Sequence, residues 1–424
     1  MIRIAAAILA AASCTSLVQA QTAPSASVAE AAGAALTLSA ALLEAERNAP
    51  ARDVANAGLR AAAAARTVAG LRPNPAITID VENFAGSGAY GGTEAIETTT
   101  ALELPLELGG KRSARVAVAE AQLARAGVTA AATRADLRQV VIDAYLAAVA
   151  GEARLANARR ELEVAESGLA AADARVKAGR ASPLERQRAE VTHVIAKNEV
   201  AQAERRLTAA RANLGARIGQ PVIGALDRAW FERIDGYGPP ADRAAAGTLA
   251  LAAAEAELAT ADAQVRLARA NRVPDLRVSA GARRIAESDD TAAVVGLSIP
   301  LRLFNSGRAS VDQARAERDR AEAQRRVALI DAQADIRTAE ADLANAAGTA
   351  RAATGPALAA AEEAARIARI GYREGKFGQL DLIDAERTLA ATRTAAITAL
   401  TDYHSAQARL ERLTARVTTS GDME

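Results

Sequence analysis

Two segments of the chain change abruptly from a strand-like pattern to a helical one. In "LELPLELGGKR" (Leu102–Arg112) leucines alternate with acidic residues and a proline, and after the two glycines the next proline is Pro183. The segment "IPLRLFNSGR" (Ile299–Arg308) repeats the pattern, and its next proline is Pro356. Alternation with period two is typical of a strand, and a long proline-free segment rich in Ala, Arg and Glu is typical of a helix. The fold must therefore join a strand directly to a very long helix, and must do so twice.

The two joints belong to an internal duplication. Pro73 corresponds to Pro274, which lies 201 residues further on, and Pro105 corresponds to Pro300, which lies 195 residues further on. Because the offset stays nearly constant, we predict two tandem repeats. The Gly- and Pro-rich stretch at 236–240 is the expected seam between them.

Each repeat is predicted to hold an entry helix, two strands and a long helical hairpin. A proline ends each entry helix and turns the chain into extended geometry. The entry helices are expected at 36–70 and 243–271, and the strands at 76–83, 98–106, 275–282 and 292–301. The hairpins are expected at 111–218, with a tip at 179–183, and at 308–418, with a tip at 375–380.

The fold class is mainly α with a small β part. The predicted domains are a signal peptide at 1–20, a first repeat at 21–235, a linker at 236–242, a second repeat at 243–418 and a tail at 419–424. Gly109, Gly110 and Gly307 stand at the strand-to-helix joints, where glycine lets the backbone change direction.

Composition favours close-packed long helices over a bulky globular core. The chain is 50% hydrophobic, mainly through alanine, whereas aromatic residues make up only 2%. An apolar residue recurs every seven positions at Leu155, Leu162, Leu169 and Val176, which predicts a heptad seam along an antiparallel hairpin. At 1.5 Å per residue each long helix would extend on the order of 100 Å. The stretch "GTARAATGP" at 348–356 predicts a bend in the second one.

The first twenty residues resemble a secretory signal peptide. Arg3 precedes an apolar run, and Val18-Gln19-Ala20 is a small-residue cleavage site, so the mature chain is expected to begin at Gln21. The only cysteine, Cys14, lies inside this segment, which excludes an intramolecular disulfide and leaves lipidation of Cys14 as an alternative. No later run of about eighteen apolar residues predicts a transmembrane helix. The possible locations of the secreted chain are therefore the periplasm, the outer membrane and the medium.

The four predicted strands do not close a membrane-spanning sheet on their own. They carry one apolar and one polar face, and each unpaired backbone group at a sheet edge costs several kcal/mol in lipid. Three chains would supply twelve strands, an even number that encloses an aqueous lumen. We therefore expect a homotrimer whose strands form an outer-membrane β-barrel and whose hairpins form an α-barrel tunnel in the periplasm.

Along nearly its whole mature length the chain resembles the TolC family of outer membrane efflux proteins. The resemblance rests on the duplication, on "PNP" (Pro73–Pro75) before the first strand and on the two helix tips, and "LPLELGGKR" (Leu104–Arg112) is similar to the cobalt-zinc-cadmium resistance (CzcC-like) branch. It implies a trimeric channel in outer-membrane lipid that docks with a periplasmic adaptor protein and an inner-membrane proton-driven RND pump.

The resemblance also implies roles for residues of the second tip, "YREGKFGQLDLIDA". Asp381 and Asp384 match paired aspartates that project into the lumen at its narrowest point, so a trimer would carry two rings of carboxylates. Tyr372 matches a gating tyrosine, whereas Phe377 stands where some members have an arginine that locks the closed state. A simpler interpretation of the aspartates, as acids favoured at a helix N-terminus, stays open.

The free ends of the two hairpins are the predicted contact points for the adaptor. These residues are Gly179, Arg180, Ser182, Pro183 and Leu184 in the first tip and Gly375, Lys376, Gly378 and Leu380 in the second. Glycine also ends helices, and Ser followed by Pro also starts them, so a purely structural role is compatible with this one.

Other motifs give no basis for a cofactor, a metal site or nucleic-acid binding. The stretch "GSGAYG" at 86–91 precedes a strand rather than a helix, which predicts an extracellular loop instead of a phosphate site. His193 and His404 lack a neighbouring second ligand and are expected on solvated helix faces. The acidic turn at 287–290 is expected to be solvated, with weak cation binding as the alternative. A net charge of +1 gives no reason to expect nucleic acid.

The sequence therefore predicts a passive outer-membrane exit duct of a tripartite efflux system, carrying divalent heavy-metal cations. An enzyme is not expected, because no nucleophile, base or metal constellation occurs at useful spacing. A multidrug duct of the same fold is the alternative, since the pump selects the cargo. A periplasmic coiled-coil adaptor fits less well, because an adaptor normally has one hairpin and this chain has two.

Overall fold

The computed structural model describes residues 35–234 and 244–417, which form twelve main helices and strands and two short helical segments. The elements are α1 (Leu38–Asn48), α2 (Pro50–Ala69), β1 (Ala76–Glu82), a 3₁₀ turn (Gly88–Tyr90), β2 (Glu97–Leu106), α3 (Lys111–Lys177), α4 (Pro183–Ile218), α5 (Leu249–Ala270), β3 (Leu276–Ile285), β4 (Asp290–Ser298), α6 (Arg308–Ala352), a π-helical segment (Ala353–Ala357), α7 (Leu358–Arg373) and α8 (Gln379–Thr414). The predicted signal peptide with Cys14, the linker 236–242 and the tail 419–424 lie outside the described residues.

The first entry segment consists of two helices, so the single helix predicted over 36–70 is wrong. Ala49 between them is extended, with φ −70° and ψ 129°, and Pro50 is the first residue of α2. Proline disfavours helical geometry in the residue before it and has no N–H to donate, and the helix therefore breaks at this point. The second entry helix, α5, is continuous from Leu249 to Ala270.

The four strands form one antiparallel sheet in the order β1-β2-β3-β4. The two repeats meet at the β2–β3 pair, which runs from Glu97 opposite Ile285 to Leu106 opposite Leu276. β4 ends at Ser298, short of the predicted end at 301, because its pairing with β3 stops there and Pro300 cannot donate a ladder hydrogen bond. Within the described chain the outer edges of β1 and β4 have no strand partner.

One face of the sheet is apolar and the other is charged. The pairing register places on the first face Ile77, Ile79, Val81, Leu102, Leu104, Val278, Val295 and Leu297. Much of this face is open to solvent, with Ile77 71% and Val295 79% exposed. On the opposite face Arg283 pairs with Glu97 at 2.7 Å and with Glu82 at 3.0 Å. An apolar face opposite an ion-paired face is the arrangement expected of strands between lipid and water.

The first helical hairpin packs along a seam of alanines. α3 is 67 residues long and α4 is 36 residues long. Both helices bury an alanine every seven residues, at Ala158, Ala165 and Ala172 in α3 and at Ala189, Ala196 and Ala203 in α4. The predicted leucine seam is only partly right, because Leu155 is buried while Leu162 and Leu169 are half-buried. Small side chains let the two helix axes approach closely, and the larger apolar residues flank the seam.

The second hairpin contains the irregularity predicted near Pro356. α6 continues into α7 through the π-helical segment Ala353–Ala357, which holds Pro356. Proline cannot donate the usual backbone hydrogen bond, and a π-bulge accommodates that loss without ending the helix.

No helix in the described ranges is both long enough and apolar enough to cross a membrane.

The main core lies where the two hairpins meet the entry segment, and within the described residues it contains most of the buried aromatic rings. Tyr145 of α3 is fully buried and donates a 2.8 Å hydrogen bond to the Leu36 carbonyl. The prediction of a solvated His404 is wrong, since this residue is 3% exposed and its ring lies 4.2 Å from that of Trp230. Its Nε2 atom lies 3.0 Å from the Phe231 carbonyl oxygen. The imidazole is thus part of the packing that holds the loop after α4.

Candidate functional site: the helix tips and the strand-to-helix joints

The tip of the second hairpin is a tight turn that follows α7. Gly375 has φ +74°, and the amides of Lys376 and Phe377 both donate to the Gly371 carbonyl, at 2.8 and 3.2 Å. These bonds cap the end of α7, as in other helices that end with a left-handed glycine. α8 then begins at Gln379, so residues 374–378 alone connect the two helices, a loop length usual for a helical hairpin.

Asp381 and Asp384 both lie at the exposed start of α8. The Asp381 carboxylate accepts a 2.9 Å hydrogen bond from the Gly378 amide, a contact that caps the N-terminus of α8. Asp384 makes no such contact and is free to face solvent within the described chain. Capping occupies one oxygen of Asp381, and a carboxylate retains further acceptor capacity for a cation.

Tyr372, at the end of α7, connects the two hairpin tips. It is 8% exposed, and its hydroxyl donates a 2.9 Å hydrogen bond to the carboxylate of Glu185 in the first turn of α4. The guanidinium of Arg175, at the end of α3, lies over the tyrosine ring at 4.9 Å and approaches Glu185 at 3.6 Å. The Gln379 side chain adds a 3.2 Å hydrogen bond to the Glu185 carbonyl. We call these four residues the tip latch.

The environment of Tyr372 keeps its hydroxyl protonated. Burial raises the pKa of Tyr372 above its ordinary value, and the hydrogen bond to the Glu185 carboxylate raises it further. The nearby positive charge of Arg175 lowers the pKa of Tyr372 and so offsets part of this rise. At neutral pH the hydroxyl is therefore a donor, which the bond to Glu185 requires.

Phe377, in the turn between α7 and α8, packs back against the end of α7. A side chain on Gly371 would overlap the Phe377 ring, so the glycine provides the space that the ring occupies. Phe377 remains 43% exposed at the outer end of the tip. The apolar ring supplies neither the charge nor the donors of the arginine found at this position in some TolC-family members.

The first tip is built from ordinary helix-end chemistry. Gly179 has φ +69° and follows α3, while the Ser182 hydroxyl accepts a 3.2 Å hydrogen bond from the Leu184 amide and Pro183 is the first residue of α4. Leu184 is 55% exposed, and Leu380 on the other tip is 62% exposed. Each tip therefore presents a leucine to solvent beside exposed turn residues, which include the basic Arg180 and Lys376 and the glycine Gly378.

Glycines form both strand-to-helix joints. Gly109 and Gly110 have φ +70° and +73°, and Gly307 at the second joint has φ +72°, a region that other residues rarely adopt. Directly after the first joint, the buried Lys111 ammonium lies 2.6 Å from the Asp275 carboxylate. This ion pair links the start of α3 to the residue that precedes β3, and so ties the two repeats together at the end of the sheet.

Residue patterns alone did not identify the latch partners Arg175, Glu185 and Gln379 or the Lys111–Asp275 pair. One signal was present: Arg175 and Glu185 lie five residues on either side of Arg180, and an antiparallel hairpin brings residues equidistant from its turn side by side. The contact of Glu185 with Tyr372 spans 187 positions and has no local signature. In the part of the chain that the structure describes, no group of three or more His, Cys, Asp or Glu side chains is placed to hold a metal ion.

The paired hairpins, the single four-stranded sheet and the glycine joints define a class of protein, the outer-membrane efflux channels. A membrane protein from Pseudomonas aeruginosa superposes with a TM-score of 0.73 over 89% of this chain and 93% of its own, at 23% identity, and so shares the fold. The family model described as "Outer membrane efflux protein" matches residues 41–220 and 241–416. The chain belongs to the outer membrane efflux protein family.

The sequence relatives lie in the metal-resistance branch of this family. The chain is 31% identical to the cobalt-zinc-cadmium resistance protein CzcC of Cupriavidus metallidurans, over 81% of both chains. It is 29% identical to the nickel-cobalt-cadmium resistance protein NccC of Alcaligenes xylosoxydans xylosoxydans, over 63% of this chain and 61% of the relative. The predicted family, its CzcC-like branch and the fold class are thereby confirmed, and the family is not a class of enzymes.

Proposed function

We propose that the chain is the outer-membrane duct of a tripartite RND-type efflux system and that it passes divalent heavy-metal cations from the cell to the exterior. The observation that carries this proposal is the sheet, which has one exposed apolar face, one ion-paired face and two unpaired edges. Such a sheet is stable in lipid only when its edges are closed by further copies. Three copies close a twelve-stranded barrel with a water-filled lumen.

The helices that follow β2 and β4 extend the wall of the duct into the periplasm, α3 after a short joint and α6 after the longer segment 299–307. Two long hairpins per chain supply a second cylinder below the sheet, and the glycines at Gly109, Gly110 and Gly307 allow the change from sheet to helix. The hairpin tips are then the parts furthest from the membrane. Their exposed leucines, Leu184 and Leu380, support contact with a periplasmic adaptor protein that in turn meets the inner-membrane pump.

The tips also supply a gate. The tip latch holds the second hairpin against the first through the Tyr372 hydroxyl and the Glu185 carboxylate. Breaking this contact frees the second hairpin to move, so the latch favours the closed state. Asp381 and Asp384 form two carboxylate rings in the trimer, which favour cations at the narrowest point of the lumen.

The metal cargo is supported by the named functions of CzcC and NccC, which are resistance proteins for cobalt, zinc, cadmium and nickel. The duct itself need not recognise its cargo, because selection is the role of the pump. A deletion strain grown on graded zinc, cobalt, cadmium, nickel and copper, beside a panel of dyes and antibiotics, tests this assignment. We expect sensitivity to metals alone, and sensitivity to the organic compounds alone would retain the duct and overturn the metal cargo.

A further inference from the structure

We propose that neighbouring copies of the chain join β4 to β1 in one defined register, with Leu297 of one copy opposite Ile79 of the next. This inference rests on the proposed trimer and adds the residues that each copy contributes to the contact. It follows from the internal duplication, because the chain already contains one junction between repeats and that junction serves as the template for the junction between copies.

The two repeats are related by constant offsets that the strand pairing obeys. β3 positions lie 201 residues after those of β1, and β4 positions lie 195 residues after those of β2, as the proline pairs of the sequence indicate. Applied together, these offsets turn the pair Ile77↔Leu102 of the first hairpin into Val278↔Leu297 of the second. The structure contains that second pair, so the strand pairing agrees with the sum of the two offsets, while each offset by itself rests on its proline pair.

The same offsets convert the junction between repeats into a junction between copies. Within the chain Leu102 of β2 lies opposite Ala280 of β3. The β4 equivalent of Leu102 is Leu297, and the β1 equivalent of Ala280 is Ile79. A second copy that meets β4 in the way that β3 meets β2 therefore places its Ile79 opposite Leu297.

The faces of the sheet provide an independent check on this register. Opposite residues must lie on the same face, and a slip of one residue would reverse every side chain of the added strand. The derived register pairs Leu297 with Ile79 and Val295 with Val81, all four on the apolar face. It also pairs Gly296 with Asp80 of the next copy, on the charged face. Apolar and charged faces thus continue without interruption across the junction.

The entry helix α2 also lacks a packing partner that its counterpart α5 has within the described chain. α5 packs between α3 and α6 and buries six of its residues, among them Leu251, Ala263 and Val265. Its counterpart in the first repeat, α2, packs mainly against α3 and buries none of its residues within the described chain. A second copy whose α6 contacts α2 would give α2 the second partner that α5 already has.

The joint between repeats predicts a matching contact between copies. Lys111 pairs with Asp275 inside the chain. Two residues more separate the strand from the helix at the second joint, so Arg308, which follows Gly307, is matched to Lys111, which follows Gly110, by its place after the glycine; the offset of 201 matches Asn74 of the next copy to Asp275. The contact between copies is then a hydrogen bond from a guanidinium to an amide oxygen, in place of the internal ion pair.

Disulfide trapping in outer membranes tests the register with four substitutions combined in two ways. The matched double variants are Leu297→Cys with Ile79→Cys and Val295→Cys with Val81→Cys. The mismatched variants exchange the partners, Leu297→Cys with Val81→Cys and Val295→Cys with Ile79→Cys, and represent slips of two residues in either direction. Directly opposite side chains lie about 5 Å apart and bridge readily, whereas diagonal ones lie about 7–8 Å apart.

A bond within one chain does not interfere, because β1 and β4 are separated by two strands, about 14 Å at the usual strand spacing. The parental chain, which contains Cys14, and the four single variants serve as controls. We expect covalent trimers on non-reducing denaturing gels in both matched variants. In both mismatched variants the amount of covalent trimer should be at least fivefold lower. Stronger bridging in a mismatched variant, or no bridging in a protein that native mass measurement shows to be trimeric, would overturn the register. A monomeric parental protein would instead refute the proposed trimer.

Discussion

Removal of the Tyr372 hydroxyl is expected to open the duct. Tyr372→Phe keeps the buried ring under Arg175 and deletes only the 2.9 Å hydrogen bond to the Glu185 carboxylate. A hydrogen bond to a charged group contributes about 1.5–3 kcal/mol. Arg175 stays 3.6 Å from Glu185, so the carboxylate keeps a counter-charge and the lower end of that range applies. The expected loss is about 1.5 kcal/mol per chain, or about tenfold in the closed–open equilibrium.

The three latches of a trimer act together if the copies open in concert, and their shifts then multiply to about a thousandfold. Single-channel recording in planar bilayers measures this change directly as the fraction of time spent open. Glu185→Gln retains an acceptor for the tyrosine and removes the charge that Arg175 faces, so a smaller shift is expected. Tyr90→Phe, at a half-exposed tyrosine in the loop after β1, is the matched control and should behave as the parental protein.

An open fraction for Tyr372→Phe equal to that of the parental protein and of the Tyr90→Phe control would refute the latch. The protein must remain trimeric and folded for the comparison, which thermal unfolding of the same sample verifies. Because the substitution leaves the ring in place, we expect little change in the unfolding temperature.

Three further predictions concern pH, charge and backbone. The pKa of Tyr372 lies above 10.0, the ordinary value for tyrosine, so the hydroxyl loses its proton, and the latch its donor, only when the pH rises past that raised pKa. Over this alkaline range the open fraction of the parental channel should rise, and that of Tyr372→Phe should not. Asp381→Asn with Asp384→Asn keeps the helix cap and removes both charges, so the reversal potential in a salt gradient should shift towards zero, and an unchanged potential would exclude the carboxylate rings. Gly109 has φ +70°, and an added Cβ would lie only 2.5 Å from Val273, so Gly109→Ala should lower the free energy of unfolding in denaturant by about 1–3 kcal/mol. Gly127 lies inside α3 with open space around it, so the control Gly127→Ala should raise that free energy by up to about 1 kcal/mol.

Features that repeat along the sequence were predictable. The prolines and glycines at equivalent positions of the two repeats established the duplication, and the alternation around Leu102 and Leu104 indicated a strand with one apolar face. These signals are local and occur twice, so each copy supports the other. The prediction of the family and fold class followed from them.

Contacts between distant segments were not predictable in the same way. The Tyr372–Glu185 bond joins hairpins from different repeats, and the burial of His404 depends on a loop that packs around it. The break at Pro50 had a local cause, since that proline lies inside the segment predicted as one helix. The alanine seam differs from the predicted leucine seam because closely packed helices favour the smaller side chain at the contact.

Efflux of metal from loaded cells measures whether this chain is an exit duct for metal cations. Cells that carry or lack the gene are loaded with zinc, cobalt or cadmium, transferred to metal-free medium, and followed by the metal that they retain. We expect the deletion strain to retain metal, the parental gene to restore efflux, and a variant with both Asp381→Asn and Asp384→Asn to restore it more slowly. Equal rates of metal loss with and without the gene would contradict the assignment of this chain as the exit duct for these cations.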